Sequence, residues 1–431
     1  MPDNPSPATS SGASTRLMSV DALRGFDMFW IMGADSLVYA LSRMNKNPVT
    51  GFLGDQLEHV DWAGFHFYDL IFPLFVFIAG VSLVFSLSKN IAKAGKGAAL
   101  KRLCGRSVLL FIVALLYSGG FSSPWPDMRL LGVLNRIALC YFFAGLIFIY
   151  CKPKAMVAIC VALLAGYWAL MNFVPIRDFK LDKPNLAKLA LAAGNDSLAK
   201  TIESSTNPST IKDSPVMAFA KQAFDGTTQR ISGKFEPGYN LANHLDFQYL
   251  PGKKWDNFYD PEGLISTIPA IATCLLGVFA GLLLQGSSLD EREKVVWLFG
   301  AGTVGIAVGL LWGLQFPVIK KLWTSSFVLV AGGFSAILLA GFYLVVDVWK
   351  YQRWCQPFVW IGMNSITVYL IKNLVGGYTK QAGRFVGGDV KVFFDTHITQ
   401  GFGDLMLCVV GLLLMFWFMH FLYKRKIFLR L

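Results

Sequence analysis

The residues best suited to acid–base or acyl chemistry gather in one stretch, Gln56-Leu-Glu-His59-Val-Asp-Trp62-Ala-Gly64-Phe-His66-Phe-Tyr-Asp69-Leu-Ile-Phe-Pro73. His59 stands among Glu58, Asp61 and Asp69. An imidazole titrates near neutrality, so beside a carboxylate it can serve as a general base or accept an acyl group. A loop histidine on its own is more often inert. Here the carboxylates, and the entry of Asp69 into the next apolar run, favour a chemical role. Asp35 is the second catalytic candidate, because its own helical repeat offers it no partner. It, or another nearby carboxylate, could orient the His59 ring as in a triad. Helical spacing places Asp21 and Arg24 on the face of Asp35, with Asp27 flanking them. For those three the favoured reading is an internal ion pair, Arg24 with Asp21 or Asp27. His66, His244, His397 and His420 are scattered without ligand spacing, so no metal is expected.

Apolar helices must position these groups. The 431-residue chain is 54% hydrophobic and 15% charged, which fits a polytopic membrane protein and not a set of soluble domains. Stretches near twenty apolar residues predict an all-α fold of about ten transmembrane helices, at about 17–43, 69–88, 103–119, 130–150, 155–173, 263–285, 295–314, 323–347, 357–375 and 404–423. The net charge of +12 lies in short clusters between these runs, an arrangement of cytoplasmic positives and not of a nucleic-acid surface. With the N-terminus cytoplasmic, seventeen Lys and Arg fall inside and eight in short outward loops, so both termini are expected in the cytoplasm. The seven cysteines lie within or beside apolar runs and form no CxxC pair, which supports neither a disulfide framework nor a thiolate zinc site.

Four regions follow. Residues 1–15 are polar and Pro/Ser-rich, an expected disordered tail without the plan of a cleavable signal. Residues 16–173 hold the first five helices, with the His59 loop at 44–68. Residues 174–262 form an outward segment far too long for an ordinary connection. Residues 263–431 hold the last five helices and a basic tail. Within the outward segment, Asp182 to Thr210 reads as a small helical excursion. Tyr239 to Gly263 is dense in rings and polar donors, which suits a carbohydrate-facing lid and a packed structural cap equally.

Polar groups inside helices are costly in a bilayer and are usually paired or functional. Asn135 and Arg136 on the fourth helix, and Asn364, Ser365, Lys372 and Asn373 on the ninth, are such groups. Their bland role is interhelical hydrogen bonding, about 1 kcal/mol each. Glu262 heads the sixth helix, where a carboxylate suits the helix N-terminus. Gly277, Gly281, Gly300, Gly302, Gly305 and Gly309 permit close helix packing.

Five motifs in order carry a family resemblance: Arg16-Leu-Met-Ser-Val-Asp-Ala-Leu-Arg24-Gly; His59-x-x-Trp-x-Gly with Asp69-Leu-Ile-Phe-Pro; Gly132-Val-Leu-Asn-Arg136; Tyr259-Asp-Pro-Glu262-Gly-Leu-Ile-Ser-Thr; and Gly362-Met-Asn364-Ser365-Ile-Thr-Val-Tyr. Across roughly residues 16–425 the chain resembles the heparan-α-glucosaminide N-acetyltransferase family, including its short bacterial relatives. The resemblance implies a transmembrane enzyme that moves acetyl from cytoplasmic acetyl-CoA to an amine or hydroxyl of a sugar on the far side. The family's active-site histidine falls on His59. A family asparagine near the outer end of the first helix falls on Asp35, a departure. The large luminal N-terminal domain of the animal members has no counterpart in this sequence, which leaves heparan open as the acceptor.

The donor's pantetheine arm would then span from the cytoplasm to His59. Its expected contacts are Arg24, Asn135, Arg136, Asn364, Ser365, Lys101 and Arg102, although the basic run from Lys89 to Arg106 is also an ordinary positive-inside signal. Asp69, Asp246 and Glu262 are expected on the acceptor. The expected partners are acetyl-CoA, a glucosamine-type carbohydrate and the lipid of a bacterial inner membrane, with a homodimer left open and nucleic acid excluded. Two other functions compete: O-acetylation of an exported polysaccharide, and secondary transport. Transport is disfavoured by the absence of an evident internal repeat and of a pair of broken helices in matching positions.

Overall fold

The computed structural model describes residues 17–44, 47–122, 124–210, 214–374 and 377–428. The expected tail at 1–15, Arg16, Lys46, Arg430 and the side chain of Asn373 lie outside that description. The chain opens with α1 (Met18–Phe29), which passes through a π-helical turn at Trp30–Ala34 into α2 (Asp35–Met44). A short α3 (Pro48–Gln56) follows, started by Asn47, whose side chain accepts from the amides of Val49 and Thr50 ahead of a first-turn proline. Then come α4 (Phe67–Tyr117), α5 (Val133–Tyr150) and α6 (Pro153–Phe173). The excursion between Phe173 and Thr267 carries α7 (Lys183–Ala192), α8 (Asp196–Ser204), α9 (Ser214–Gly226) and α10 (Leu241–Tyr249). The second half holds α11 (Thr267–Gln285), α12 (Glu291–Gly313), α13 (Ser325–Phe342), α14 (Gln356–Gly362), α15 (Ser365–Leu374), α16 (Tyr378–Val386), α17 (Asp389–His397) and α18 (Phe402–Lys424).

Among the described residues, seven helices are long and apolar enough to cross a membrane: α4, α5, α6, α11, α12, α13 with its extension to Val348, and α18. Helices are the natural solution there, because each satisfies its own backbone hydrogen bonds where no water can. The 51-residue α4 is two helices joined at Gly95, whose φ of 79° and ψ of 176° leave the helical region. The chain folds back at that point. Arg102 Nη1 lies 3.3 Å from Asn90 Oδ1, whereas twelve residues of straight helix would separate them by roughly 18 Å.

Two expected spans are interrupted. The first breaks at Gly33, with φ of 119°, and the ninth breaks between α14 and α15 at Met363 and Asn364. The interruptions pack together: α1 lies against α14, and Lys372 Nζ donates to the Ile31 carbonyl released by the π turn, at 2.7 Å. Two interrupted helices therefore pack together, in the first and ninth expected spans, which are not matching positions of two five-span halves. The separate segments are seven to twelve residues long, and the apolar run continues across each break, so hydropathy registers one span and not its interruption.

The core runs along α4, α5, α11 and α13, with Leu74, Phe77, Val81, Ala138, Cys274 and Phe327 buried at its centre. Helices α4 and α11 touch backbone to backbone, because a Cβ on Gly80 would strike the Cys274 carbonyl and one on Gly277 the Phe77 carbonyl. The 174–262 segment has its own apolar centre around Leu186, Ile202, Phe224, Phe247 and Phe258. A two-stranded antiparallel ribbon, β1 (Ile176–Arg177) with β2 (Arg230–Ile231), closes it. Tyr167, Phe316, Ile319 and Leu241 join it to the bundle, and Trp62 Nε1 donates to the Phe235 carbonyl at 2.7 Å. The cap thus sits directly on the His59 loop.

Candidate active site

His59 lies in the irregular segment between α3 and α4, and Asp69 in the first turn of α4 holds that segment. One carboxylate oxygen of Asp69 accepts from the amides of His66 (3.1 Å) and Val60 (3.3 Å), wrapping the loop around the helix N-terminus. The other oxygen lies 2.9 Å from His59 Nδ1. An ionised carboxylate only accepts, so Nδ1 carries the proton and Nε2 presents its lone pair, as a general base requires. The His59 side chain is 50% exposed and that of Asp69 is 1% exposed, so the ring is reachable while its orienter is not.

Asp35 does not touch His59. Its carboxylate accepts from Tyr68 OH at 3.1 Å, and the Tyr68 ring packs on the His59 ring with centroids 4.8 Å apart. The orienting carboxylate is Asp69, with Asp35 one side chain further out. Asp69 itself, expected on the acceptor, is committed to the loop and the ring.

Lys320 completes the cluster. Its Nζ lies 2.9 Å from His59 Nδ1, 3.2 Å from Nε2 and 3.4 Å from Asp69 Oδ1. The segment before α13 delivers it: Gly64 N donates to the Val318 carbonyl at 2.9 Å, and Ala63 bridges Ile319. Burial pushes the Lys320 ammonium below the usual lysine range, against the opposing pull of Asp69. Sequence reading passed over Lys320. Its one signal was the Lys320-Lys321 pair in an outward loop, where the charge rule would not favour it.

Two adjoining cavities lie in the bundle, the smaller of them at this cluster. The smaller, of about 230 Å³, is lined by His59, Tyr68, Lys320 and Glu262, and by apolar side chains such as Phe72. The larger, of about 620 Å³, is lined by Arg24, Ser82, Lys89, Arg102, Arg106 and Tyr141. Phe75, Ile137, Ser365 and Ile366 line both. Along α4, Asp69 and Lys89 stand twenty residues apart, roughly 30 Å, about the thickness of a bilayer's hydrocarbon core. Of the expected donor contacts, Arg24, Arg102 and Ser365 face the larger cavity. Arg24 is steadied by Asp21 at 3.4 Å and by the Ser82 hydroxyl. Lys101 is exposed and lines neither cavity. Asn364 is buried at the α14–α15 break without lining either.

Asn135 and Arg136 are turned into the protein. Asn135 Nδ2 donates to the Phe111 carbonyl at 3.4 Å. Arg136 donates to the Pro261 carbonyl at 3.0 Å and to the Ser266 hydroxyl, with its guanidinium 5.0 Å from the Trp323 ring centroid. Arg136 thereby fixes the turn that carries Glu262, while Asn135 ties α5 to α4. Arg129 braces the same turn, reaching Asp260 at 2.7 and 2.8 Å and Glu262 at 2.6 Å. Burial and the neighbouring Asp260 raise the Glu262 carboxyl above its usual range, against Arg136 and Arg129. Asp246 is structural: its oxygens accept from the amides of Leu264 (2.8 Å) and Asp260 (3.4 Å), and it lines neither cavity. Burial pushes its carboxyl up to about 7.

The cap carries a groove of about 800 Å³ of its own, lined by Asp178, Asn185, Phe219, Gln222, Glu236 and Tyr239 among others. Glu236 follows the Phe235 carbonyl that holds Trp62, so the groove's wall is tied to the His59 loop.

Comparison with known proteins finds similar sequences. A family model described as "Heparan-alpha-glucosaminide N-acetyltransferase, catalytic" matches residues 16–197, which include His59, Asp69 and Asp35 but not Lys320 or Glu262. Two curated relatives carry the name heparan-alpha-glucosaminide N-acetyltransferase. The Homo sapiens protein is 25% identical over 400 residues and the Mus musculus protein 26% over 410, each covering 86% of this chain. The chain spans 55% of the length of these relatives.

Proposed function

The chain is similar to the heparan-α-glucosaminide N-acetyltransferases, and from that premise we propose that it is a transmembrane acetyltransferase carrying acetyl from cytoplasmic acetyl-CoA to an amino sugar outside the cell. The observation that carries the reading is the pair of cavities sharing Phe75, Ile137, Ser365 and Ile366. One end offers Arg24, Lys89, Arg102 and Arg106 to the donor's phosphates. The apolar middle suits a pantetheine arm, and the other end brings the thioester to His59. In this reading ten helical segments cross the membrane, both termini are cytoplasmic, and the cap stands on the acceptor side.

His59 Nε2 takes the proton of the acceptor amine as its nitrogen adds to the acetyl carbon, and then passes it to the departing sulfur. Asp69 fixes the ring and its tautomer. Tyr68, held by Asp35, packs against the ring and limits its rotation. The cap groove, with rings for sugar faces and Asp178, Gln222 and Glu236 for hydroxyls or an ammonium, supports a carbohydrate acceptor.

The test is purified protein in liposomes with acetyl-CoA inside and glucosamine outside. Thiol release inside together with N-acetylglucosamine outside is the expected result. Thiol release without acetylated product, across amino sugars and polysaccharides, would overturn the reading, and an O-acetylated polysaccharide would redirect it to the hydroxyl. External labelling of a cysteine placed at Ser204 but not at Lys96 is the expected topology.

Secondary transport is the second reading, favoured by the two interrupted helices packed together. It predicts uptake of an intact solute without any covalent change, which the same liposomes distinguish.

A further inference from the structure

We propose that Lys320 is a catalytic residue of this site, its ammonium holding the acetyl carbonyl oxygen as negative charge develops there. The inference rests on the acetyltransferase reading and goes beyond it, since the matched family segment ends at residue 197. The geometry is specific. Nζ lies 3.2 Å from Nε2, the atom that takes the acceptor's proton. A carbonyl carbon approached by a nucleophile bound at Nε2 therefore has its oxygen within reach of Nζ. Preorganised charge of this kind is commonly the largest contribution to acyl transfer.

Other groups facing the ring are committed elsewhere. Tyr68 donates to Asp35, Asp69 accepts from His59 and the loop, and Lys321 pairs with Asp256 at 2.9 Å. Glu262 and Tyr369 line the cavity from the turn before α11 and from α15, and neither carries positive charge. Glu58 and Asp61 flank His59 on its own loop and are exposed. Among the described residues lining this cavity, Lys320 is the cation.

The step balances without a change at Lys320. The acceptor nitrogen forms its bond to the acetyl carbon, and its proton moves to Nε2. The C–S bond then breaks with its electron pair on sulfur, and the sulfur receives the Nε2 proton. Lys320 donates a hydrogen bond throughout and keeps its protons.

A purely structural Lys320 would only neutralise Asp69, so kinetics must separate the two roles. Lys320→Met in the full chain is expected to lower kcat by roughly 10²–10³-fold with KM for acetyl-CoA within about threefold of wild type. Lys320→Arg, which keeps the charge, should recover part of the rate. If Lys320→Met does not fold, Lys320→Gln, which can still donate to Asp69, is read in the same way. A folded Met or Gln variant with kcat within threefold of wild type, or one whose loss lies in KM for acetyl-CoA and not in kcat, overturns the proposal. A wild-type protein that acetylates no acceptor overturns the function on which it rests.

Discussion

At the scale of single residues, the site depends on a histidine whose partners come from three parts of the chain. Asp69 is ten positions away in sequence, Lys320 is 261 positions away, and Tyr68 brings Asp35 into the cluster. Because His59 is half exposed and belongs to no helix, its side chain contributes little to the bundle. His59→Ala is therefore expected to leave thermal stability and acetyl-CoA binding near wild type while turnover falls by roughly two to four orders of magnitude. Steady-state kinetics on the folded variant check this, and activity within a few-fold of wild type would remove His59 from the mechanism. Sequence reading put Asp35 forward to orient the ring and placed Asp69 on the acceptor, whereas the carboxylate at the ring is Asp69. Their difference is a matter of which carboxylate the loop wraps around, and spacing along one helix does not encode that.

At the scale of elements, the fold-back of α4 at Gly95 shapes the basic end. It sets Lys89 from one arm against Arg102 and Arg106 from the other, around one cavity. Sequence reading found this charge cluster but paired Lys101 with Arg102 as donor contacts. Successive helical residues point about 100° apart, and here Arg102 lines the cavity while Lys101 is exposed and does not. If Arg102 and Arg106 hold phosphates, replacing both with Gln should raise KM for acetyl-CoA by roughly tenfold or more with little change in kcat. Replacing Lys101 alone should do neither. The Arg dependence should also weaken as ionic strength rises, since these charges are partly solvent-exposed. Titration of KM against salt for the three proteins reads both effects.

At the scale of the whole molecule, the cap is a small folded body whose stability responds to pH through two buried groups. Burial holds the Asp246 carboxyl at about 7, so the folded chain keeps a proton that the unfolded chain loses near 4, and stability falls as pH rises from about 4 to 7. Burial lowers the His244 imidazole to about 4, so the unfolded chain gains a proton near 6.5 that the folded one refuses, and stability falls as pH drops from about 6.5 to 4. The two slopes oppose each other. Relative to wild type, Asp246→Asn should grow more stable as pH rises through that window, and His244→Gln as pH falls through it. Thermal unfolding of the two variants between pH 4 and 7 is the measurement, and parallel slopes would contradict the assignment. The cap's hold on Trp62 links this stability to the His59 loop.

What the sequence determined by itself was local. Apolar run length and composition announced the helices, because a bilayer leaves few alternatives for backbone hydrogen bonds. The His59 stretch and the charge cluster at Lys89–Arg106 were visible because their residue types are costly in a membrane protein without a purpose. The rest required tertiary packing. The orientation of Arg136 toward the Glu262 turn and of Asn135 toward Phe111, the confinement of Asp246 to backbone amides, the pairing of the two broken helices and the arrival of Lys320 at the His59 ring all depend on how separate elements rotate and register against one another. That register is set by contacts such as Gly80 against Cys274 and Ala63 against Ile319, between residues far apart in the chain. Local propensity carries no information about such contacts, since each is a property of two surfaces together and of neither sequence segment alone.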